Sequence, residues 1–180
     1  AQVNLPRVEG TAILVFDVSG SMAANDVEPT RMEAAKAAAR EFIMSQPETV
    51  QIGIVSFSGS GFAVERPTND TQNLLAAITR LTPQTGTSLG QGILVALNTI
   101  ALDAGLQAVI PTETQATPNP GSAQEGQPPE NSFLSQLPEG PYPSALIVLL
   151  SDGENNQSID PLEAAQAAAD HAVRIDSLGF

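Results

Sequence analysis

Thr11-Ala-Ile-Leu-Val-Phe-Asp17-Val-Ser-Gly-Ser-Met22 decides how the chain is read. Its first half, Ala12–Phe16, is a short unbroken apolar run with β-branched members. Such a run suits a strand buried on both faces, as in a parallel sheet. Its second half changes character at once, with Asp17, Ser19 and Ser21 alternating with Val18 and Gly20. Residues two apart point to the same side of an extended chain, so one carboxylate and two hydroxyls converge just beyond a buried strand. Gly20 lets the backbone turn tightly between them. Taken alone, the run is also an ordinary strand-ending turn rich in turn formers. Its surroundings decide between the two.

Two further runs repeat the strand pattern, Gln51-Ile-Gly-Ile-Val-Ser-Phe57 and Ala145-Leu-Ile-Val-Leu-Leu150. Val173–Phe180 is a fourth candidate, and Gly61–Glu65 reads as a short edge strand after the Ser58-Gly-Ser-Gly61 turn. Helices with legible starts lie between them. Thr30-Arg-Met-Glu33 is a capping box in which the Thr hydroxyl takes an orphan N–H and Glu33 reaches back. Met32, Ala35, Ala39 and Phe42 then share one face. Asp160-Pro-Leu-Glu163 repeats the device with Pro161 at the first helical position, and Leu162, Ala165, Ala169 and Val173 form the expected inner stripe. Thr71–Leu81 and Ser88–Ala101 read as two more helices, joined by the Pro83–Gly86 turn. Alternating strands and helices predict a doubly wound α/β fold, a mostly parallel central sheet with helices on both faces.

The chain of 180 residues fits one domain over 1–180. One stretch breaks the rhythm: Ala104–Ser144 holds eight of the 14 prolines, four acidic residues and no basic one. Such a segment buries too little apolar surface to offset its ordering entropy, and it reads as a long Pro-rich surface loop inserted in the domain. With no cysteine, disulfides and thiolate metal sites are excluded. The net charge of -13, from 20 acidic and 7 basic residues, repels phosphate backbones and anionic membrane surfaces alike. The apolar runs are far too short to cross a bilayer, and no signal segment opens the chain, so no direct membrane insertion by this segment is expected. Ala1 in place of an initiator methionine is what a processed or excised domain would show.

In doubly wound sheets ligands bind beyond the carboxyl ends of the strands, at the point where the strand order reverses. Asp17 ends one buried strand and Asp152 follows another, so both land on that edge. Two carboxylates with several hydroxyls make an all-oxygen set suited to a hard cation such as Mg²⁺.

Asp17-Val-Ser-Gly-Ser21, Gly86-Thr-Ser-Leu-Gly90 and Ser151-Asp-Gly153 together resemble the three loops of von Willebrand factor A domains, which form that family's metal-ion-dependent adhesion site. The resemblance covers most of the chain from about Thr11 onward and implies a Rossmann-like fold. Carried over residue by residue, it implies metal ligation by Asp17, Ser19, Ser21, Thr87 and Asp152. In the family pattern the serines bind the metal directly and the carboxylates partly through water, while the threonine binds directly in the ligand-competent state. Mg²⁺ is the expected ion, with Mn²⁺ or Ca²⁺ as substitutes. The implied function is protein–protein adhesion or scaffolding, in which a partner's Glu or Asp completes the metal shell, and not catalysis.

Arg7–Phe42 further resembles the membrane-anchored bacterial branch associated with aerotolerance operons and MoxR-type ATPases. That branch implies a link to a MoxR-type system and an extracytoplasmic location, tethered by segments outside this chain. Two departures stand out. The family's last strand and helix, expected after Val173–Phe180, do not follow in this sequence, and the 104–144 insertion is atypical. A final strand without its neighbour would be an unprotected edge.

Competing readings are weaker on chemistry. Gly86-Thr-Ser-Leu-Gly90 also matches the serine-hydrolase elbow, with Ser88, Asp152 and His171 in the hydrolase order. That elbow needs a strand directly before it, and Leu81-Thr-Pro-Gln-Thr85 is not one. Asp152 to Glu163 imitates an EF-hand loop, yet Gln157 stands where the turn glycine belongs. A dehalogenase-type phosphatase wants a second acid two residues after the first, and position 19 is serine. No Lys, Cys or His lies in the three loops to act as a base, and Glu154 is the one further acid close by.

Overall fold

Ala12–Phe16 becomes the middle of β1 (Gly10–Asp17), the central strand of a five-stranded sheet. The computed structural model describes residues 10–58, 61–87, 89–105, 137, 144–153 and 160–180, without the side chains of 61–64. The other strands are β2 (Val50–Ser58), β3 (Gly61–Thr68), β4 (Ala145–Ser151) and β5 (Arg174–Gly179), in the order β3-β2-β1-β4-β5. β1 runs parallel to β2 and β4, β5 runs parallel to β4, and β3 alone is antiparallel. The sheet is thus mostly parallel, with its antiparallel member at one edge.

Successive residues of β1 face opposite sides, and each side is dry. Ala12, Leu14 and Phe16 pack into one core with α1 (Arg31–Ser45) and α2 (Thr71–Arg80). Ile13 and Val15 join the other with α3 (Leu89–Asp103) and α4 (Pro161–Asp170). Burial on both faces explains why the strand reads as an apolar run without alternation. α3 is buried along nearly its whole length, from Leu89 to Ala101. It lies so close to β2 that a Cβ built on Gly92 would stand 2.5 Å from Phe57 Cδ1.

Two local expectations are corrected. Thr30 does cap α1 by accepting from Glu33 N–H at 3.1 Å, but Glu33 does not reach back, because its carboxylate accepts from Lys36 Nζ at 3.1 Å. On α4 the buried residues are Ala164, Ala167 and Ala168, while Leu162 is 77% exposed. An alanine-rich helix carries little phase information; its N-terminus is capped by Asp160, which accepts from Leu162 N–H at 2.8 Å. A single 3-10 turn, Gly20–Ala23, follows the first loop unannounced. The turn at 59–60 and nearly all of the Pro-rich stretch lie outside the described residues. Leu137, the one described position within 106–143, is partly buried against the α3–α4 core.

Candidate metal centre

Asp17 and Ser151 close two neighbouring parallel strands, one step beyond the Phe16–Leu150 register pair. The chain leaves β1 for β2 on one side, and β4 lies on the other. Asp17 and Asp152 therefore stand at the switch point of the sheet, where such folds open a crevice.

Asp17 is fully buried. Its Oδ1 accepts from Ser19 N–H at 2.8 Å and its Oδ2 from the Ser151 hydroxyl at 2.8 Å. The Ser151 oxygen in turn accepts from Gly153 N–H at 3.0 Å, which locks the turn that presents Asp152. Ser19 Oγ and Ser21 Oγ are 2.9 Å apart, so the two hydroxyls do converge as their spacing predicts. The loop that carries Thr87 is tied in through backbone and side chain. Gln84 N–H donates to the Val18 carbonyl, Val18 N–H donates to the Phe57 carbonyl at 3.0 Å, and the Ser58 hydroxyl donates to Gln84 Oε1 at 3.3 Å. Gly86, at φ 78°, then turns the chain into the buried Thr87.

The electrostatics are lopsided. Burial pushes the Asp17 carboxyl above the usual carboxylate range; hydrogen bonds from Ser19 and Ser151 oppose this, and the neighbouring Asp152 charge adds to it. Among the described residues no cationic side chain pairs with Asp17. Asp152 is different: its side chain is fully buried, and its Oδ2 accepts from Arg31 Nη1 at 2.8 Å. Arg31 is also held from outside by Asp26, whose carboxylate takes Nε at 2.9 Å and Nη2 at 2.6 Å. The guanidinium holds the Asp26 carboxyl below the usual range, and the two carboxylates raise the pKa of Arg31.

A buried carboxylate facing a second carboxylate, with only neutral donors of its own, is costly unless a cation joins it. The donor set therefore fits a hard divalent ion: Asp17, Asp152, Ser19 and Ser21 offer oxygen only. Among the described residues no cluster of three or more acids, histidines or cysteines occurs, so neutral oxygens, hydroxyls and water among them, would have to complete such a shell.

A family profile described as von Willebrand factor type A domain matches residues 12–115. The chain belongs to that family. The match spans Asp17, Ser19, Ser21 and Thr87 and ends before Asp152, which the sheet itself brings to the same edge. Among curated relatives, a UPF0353 protein of Mycolicibacterium paratuberculosis is 32% identical over all of this chain and 47% of its own length. The chain thus spans about half the length of the curated relatives it matches. Two solved structures share its fold. BatB of Bacteroides thetaiotaomicron has a TM-score of 0.61 at 22% identity, over 95% of this chain and 66% of its own. An aerotolerance-related membrane protein of Bacteroides fragilis has 0.62 at 19%, over 95% and 67%. No helix among the described residues is long and apolar enough to cross a membrane.

The hydrolase arrangement fails on topology. His171 caps the end of α4 and precedes Arg174, which pairs with Leu146 near the start of β4. Asp152 lies beyond the other end of that strand. Five residues of strand, roughly 17 Å, separate the two sheet edges. Ser88, Glu154 and the EF-hand-like stretch through Gln157 fall outside the described residues. Arg31, Asp26 and Ser151 are the participants to which the sequence reading gave no role.

Proposed function

We propose that the chain is a metal-dependent recognition module, in which Asp17, Ser19, Ser21, Thr87 and Asp152 hold a divalent cation that binds an acidic side chain of a protein partner. The observation that carries this reading is the fully buried Asp17, facing Asp152 and lacking any cationic partner among the described residues, with two converging hydroxyls beside it. Mg²⁺ is the ion the donors suit best, with Mn²⁺ or Ca²⁺ as substitutes. When bound, the ion supplies a Lewis-acidic contact for an incoming carboxylate. The protein's own residues do the rest. Asp17 and Asp152 would anchor the cation with two negative charges, one of them already shared with Arg31, and the neutral hydroxyls would add none, so the ion would keep an affinity for a further carboxylate. Ser151 fixes Asp17, and the Gln84–Val18 bond sets the approach of the Thr87 loop. Such an arrangement binds rather than turns over substrate.

Two features extend the reading. The net charge of -13 disfavours uniformly acidic partners at long range, so the best partner offers one Glu or Asp in a neutral or basic patch. The resemblance of Arg7–Phe42 to the membrane-anchored bacterial branch extends the proposal to an extracytoplasmic, tethered setting and a link to a MoxR-type ATPase system. Calorimetric titration with Mg²⁺ and Mn²⁺ tests the site: wild type should bind one ion, and Asp17→Ala should bind none while keeping its circular dichroism. Undiminished affinity in that variant would sink the assignment. Partner capture should be lost in EDTA and restored by Mg²⁺ or Mn²⁺.

A further inference from the structure

Arg31 stands where a cation is least welcome. It is the first residue of α1, at the positive end of the helix, where carboxylates are favoured and guanidinium groups are not. It is also one of only seven basic residues in the chain. Something other than helix formation therefore holds it there. Its three contacts give the answer: two bonds to Asp26, whose side chain is 55% exposed, and one to Asp152, whose side chain is fully buried. Arg31 reaches from the surface into the cleft and neutralises one of the two carboxylates there. Among the described residues Asp17 receives no such help.

We propose that Arg31 is the resident counter-ion of Asp152, competing with the divalent cation for that carboxylate and so setting the affinity of the site. The proposal rests on the reading that Asp17 and Asp152 hold a cation. A guanidinium 2.8 Å from Asp152 Oδ2 lowers the negative potential available to an incoming ion, and it also fixes the carboxylate in place. Asp26 moderates the effect by sharing the guanidinium charge. With the ion absent, Arg31 keeps the two buried carboxylates from facing each other uncompensated. With the ion bound, that duty lapses. Arg31 thereby keeps the site weak enough to fill and empty reversibly, and it preserves the ion's charge for a partner's acid.

The test is Mn²⁺ titration, with melting curves in EDTA and in saturating Mn²⁺, on wild type, Arg31→Gln, Arg31→Lys, Asp26→Asn and Asp17→Ala. Removing the charge should tighten Mn²⁺ binding about tenfold, and keeping it in Arg31→Lys should leave affinity within about twofold of wild type. Asp26→Asn, which concentrates the guanidinium on Asp152, should weaken Mn²⁺ binding about threefold, and it decides the matter even if Arg31→Gln folds poorly. Arg31→Gln should melt below wild type in EDTA, and saturating Mn²⁺ should close the gap. Equal or weaker Mn²⁺ binding in Arg31→Gln, or Asp26→Asn equal to wild type, overturns the counter-ion role while wild-type binding and its loss in Asp17→Ala leave the cation site standing. If no folded variant binds Mn²⁺ at millimolar concentration, the cation site and the counter-ion role fall together.

Discussion

Replacing Asp17 by asparagine should stabilise the metal-free chain and abolish its response to divalent ions. The amide keeps the size of the side chain, and its oxygen can still accept from Ser19 N–H, which lies 2.8 Å from Oδ1. Its NH₂ can face the Ser151 oxygen with the hydroxyl turned away. What changes is the charge. A fully buried carboxylate without a cationic partner costs on the order of 1–3 kcal/mol more than a hydrogen-bonded neutral group of the same shape. For a domain of this size each kcal/mol moves the melting point by roughly 2–4 °C, so Asp17→Asn should melt ~2–12 °C above wild type in EDTA. In Mg²⁺ at a hundredfold excess over Kd, wild type should gain about 2.7 kcal/mol, or roughly 5–11 °C, and the variant nothing. The two melting points thus close or cross between EDTA and Mg²⁺, as calorimetry or thermal circular dichroism would read directly. A variant that melts below wild type in EDTA refutes the account of Asp17 as an uncompensated charge. Equal gains in Mg²⁺ would place the ion elsewhere.

The pH dependence has a definite sign. A carboxyl raised above 3.8 by burial binds its proton more tightly in the folded chain than in the unfolded one. In EDTA it therefore costs stability at neutral pH, and the cost is relieved as pH falls through the folded pKa toward 3.8. Asp26, held below 3.8 by the Arg31 guanidinium, works the other way: it contributes stability above 3.8 that is lost as pH falls through its lowered value. The difference between wild type and Asp17→Asn isolates the first effect and should shrink on acidification.

Gly92→Ala should cost roughly 1–3 kcal/mol in urea unfolding, because its methyl would meet the Phe57 ring at 2.5 Å and neither α3 nor β2 has room to yield. Thr87→Val should weaken binding of a carboxylate-bearing partner more than binding of Mn²⁺, measured by titrating the two in turn. Replacing 106–136 by a short Gly/Ser linker, with Leu137 kept against the core, should move the melting point by only ~2–4 °C, since closure entropy varies slowly with loop length. A larger fall would mean that the stretch packs on the domain.

Strands buried on both faces announce themselves, because every residue from Ala12 to Phe16 must be apolar whichever way it points. That is why the sheet was legible from three short runs. Helix faces were legible in proportion to side-chain size. Met32, Ala35 and Ala39 are buried as expected on α1, whereas on α4 the many alanines left the phase unmarked, and Leu162 turned outward. The capping box at Thr30 was half right for a related reason. A sequence pattern names which groups can meet, but Glu33 had a second suitor one turn on in Lys36, and a 3.1 Å ion pair prevailed over the return bond.

The centre was legible where backbone spacing alone brings groups together. Asp17, Ser19 and Ser21 converge because they alternate, and Asp152 joins them because β1 and β4 are neighbours in parallel register. Arg31 was not legible because its partner lies 121 positions away in sequence, and because the Thr30–Glu33 cap already accounts for the segment around it. A signal was nonetheless present. In a chain with three acidic residues for roughly every basic one, an arginine at the first position of a helix contradicts the helix dipole, and a local rule broken without local gain marks a residue serving something else. Here the gain is non-local. The helix that follows the first loop carries a cation back to the carboxylate of the last loop, so the segment that builds one wall of the cleft also supplies the charge that restrains it.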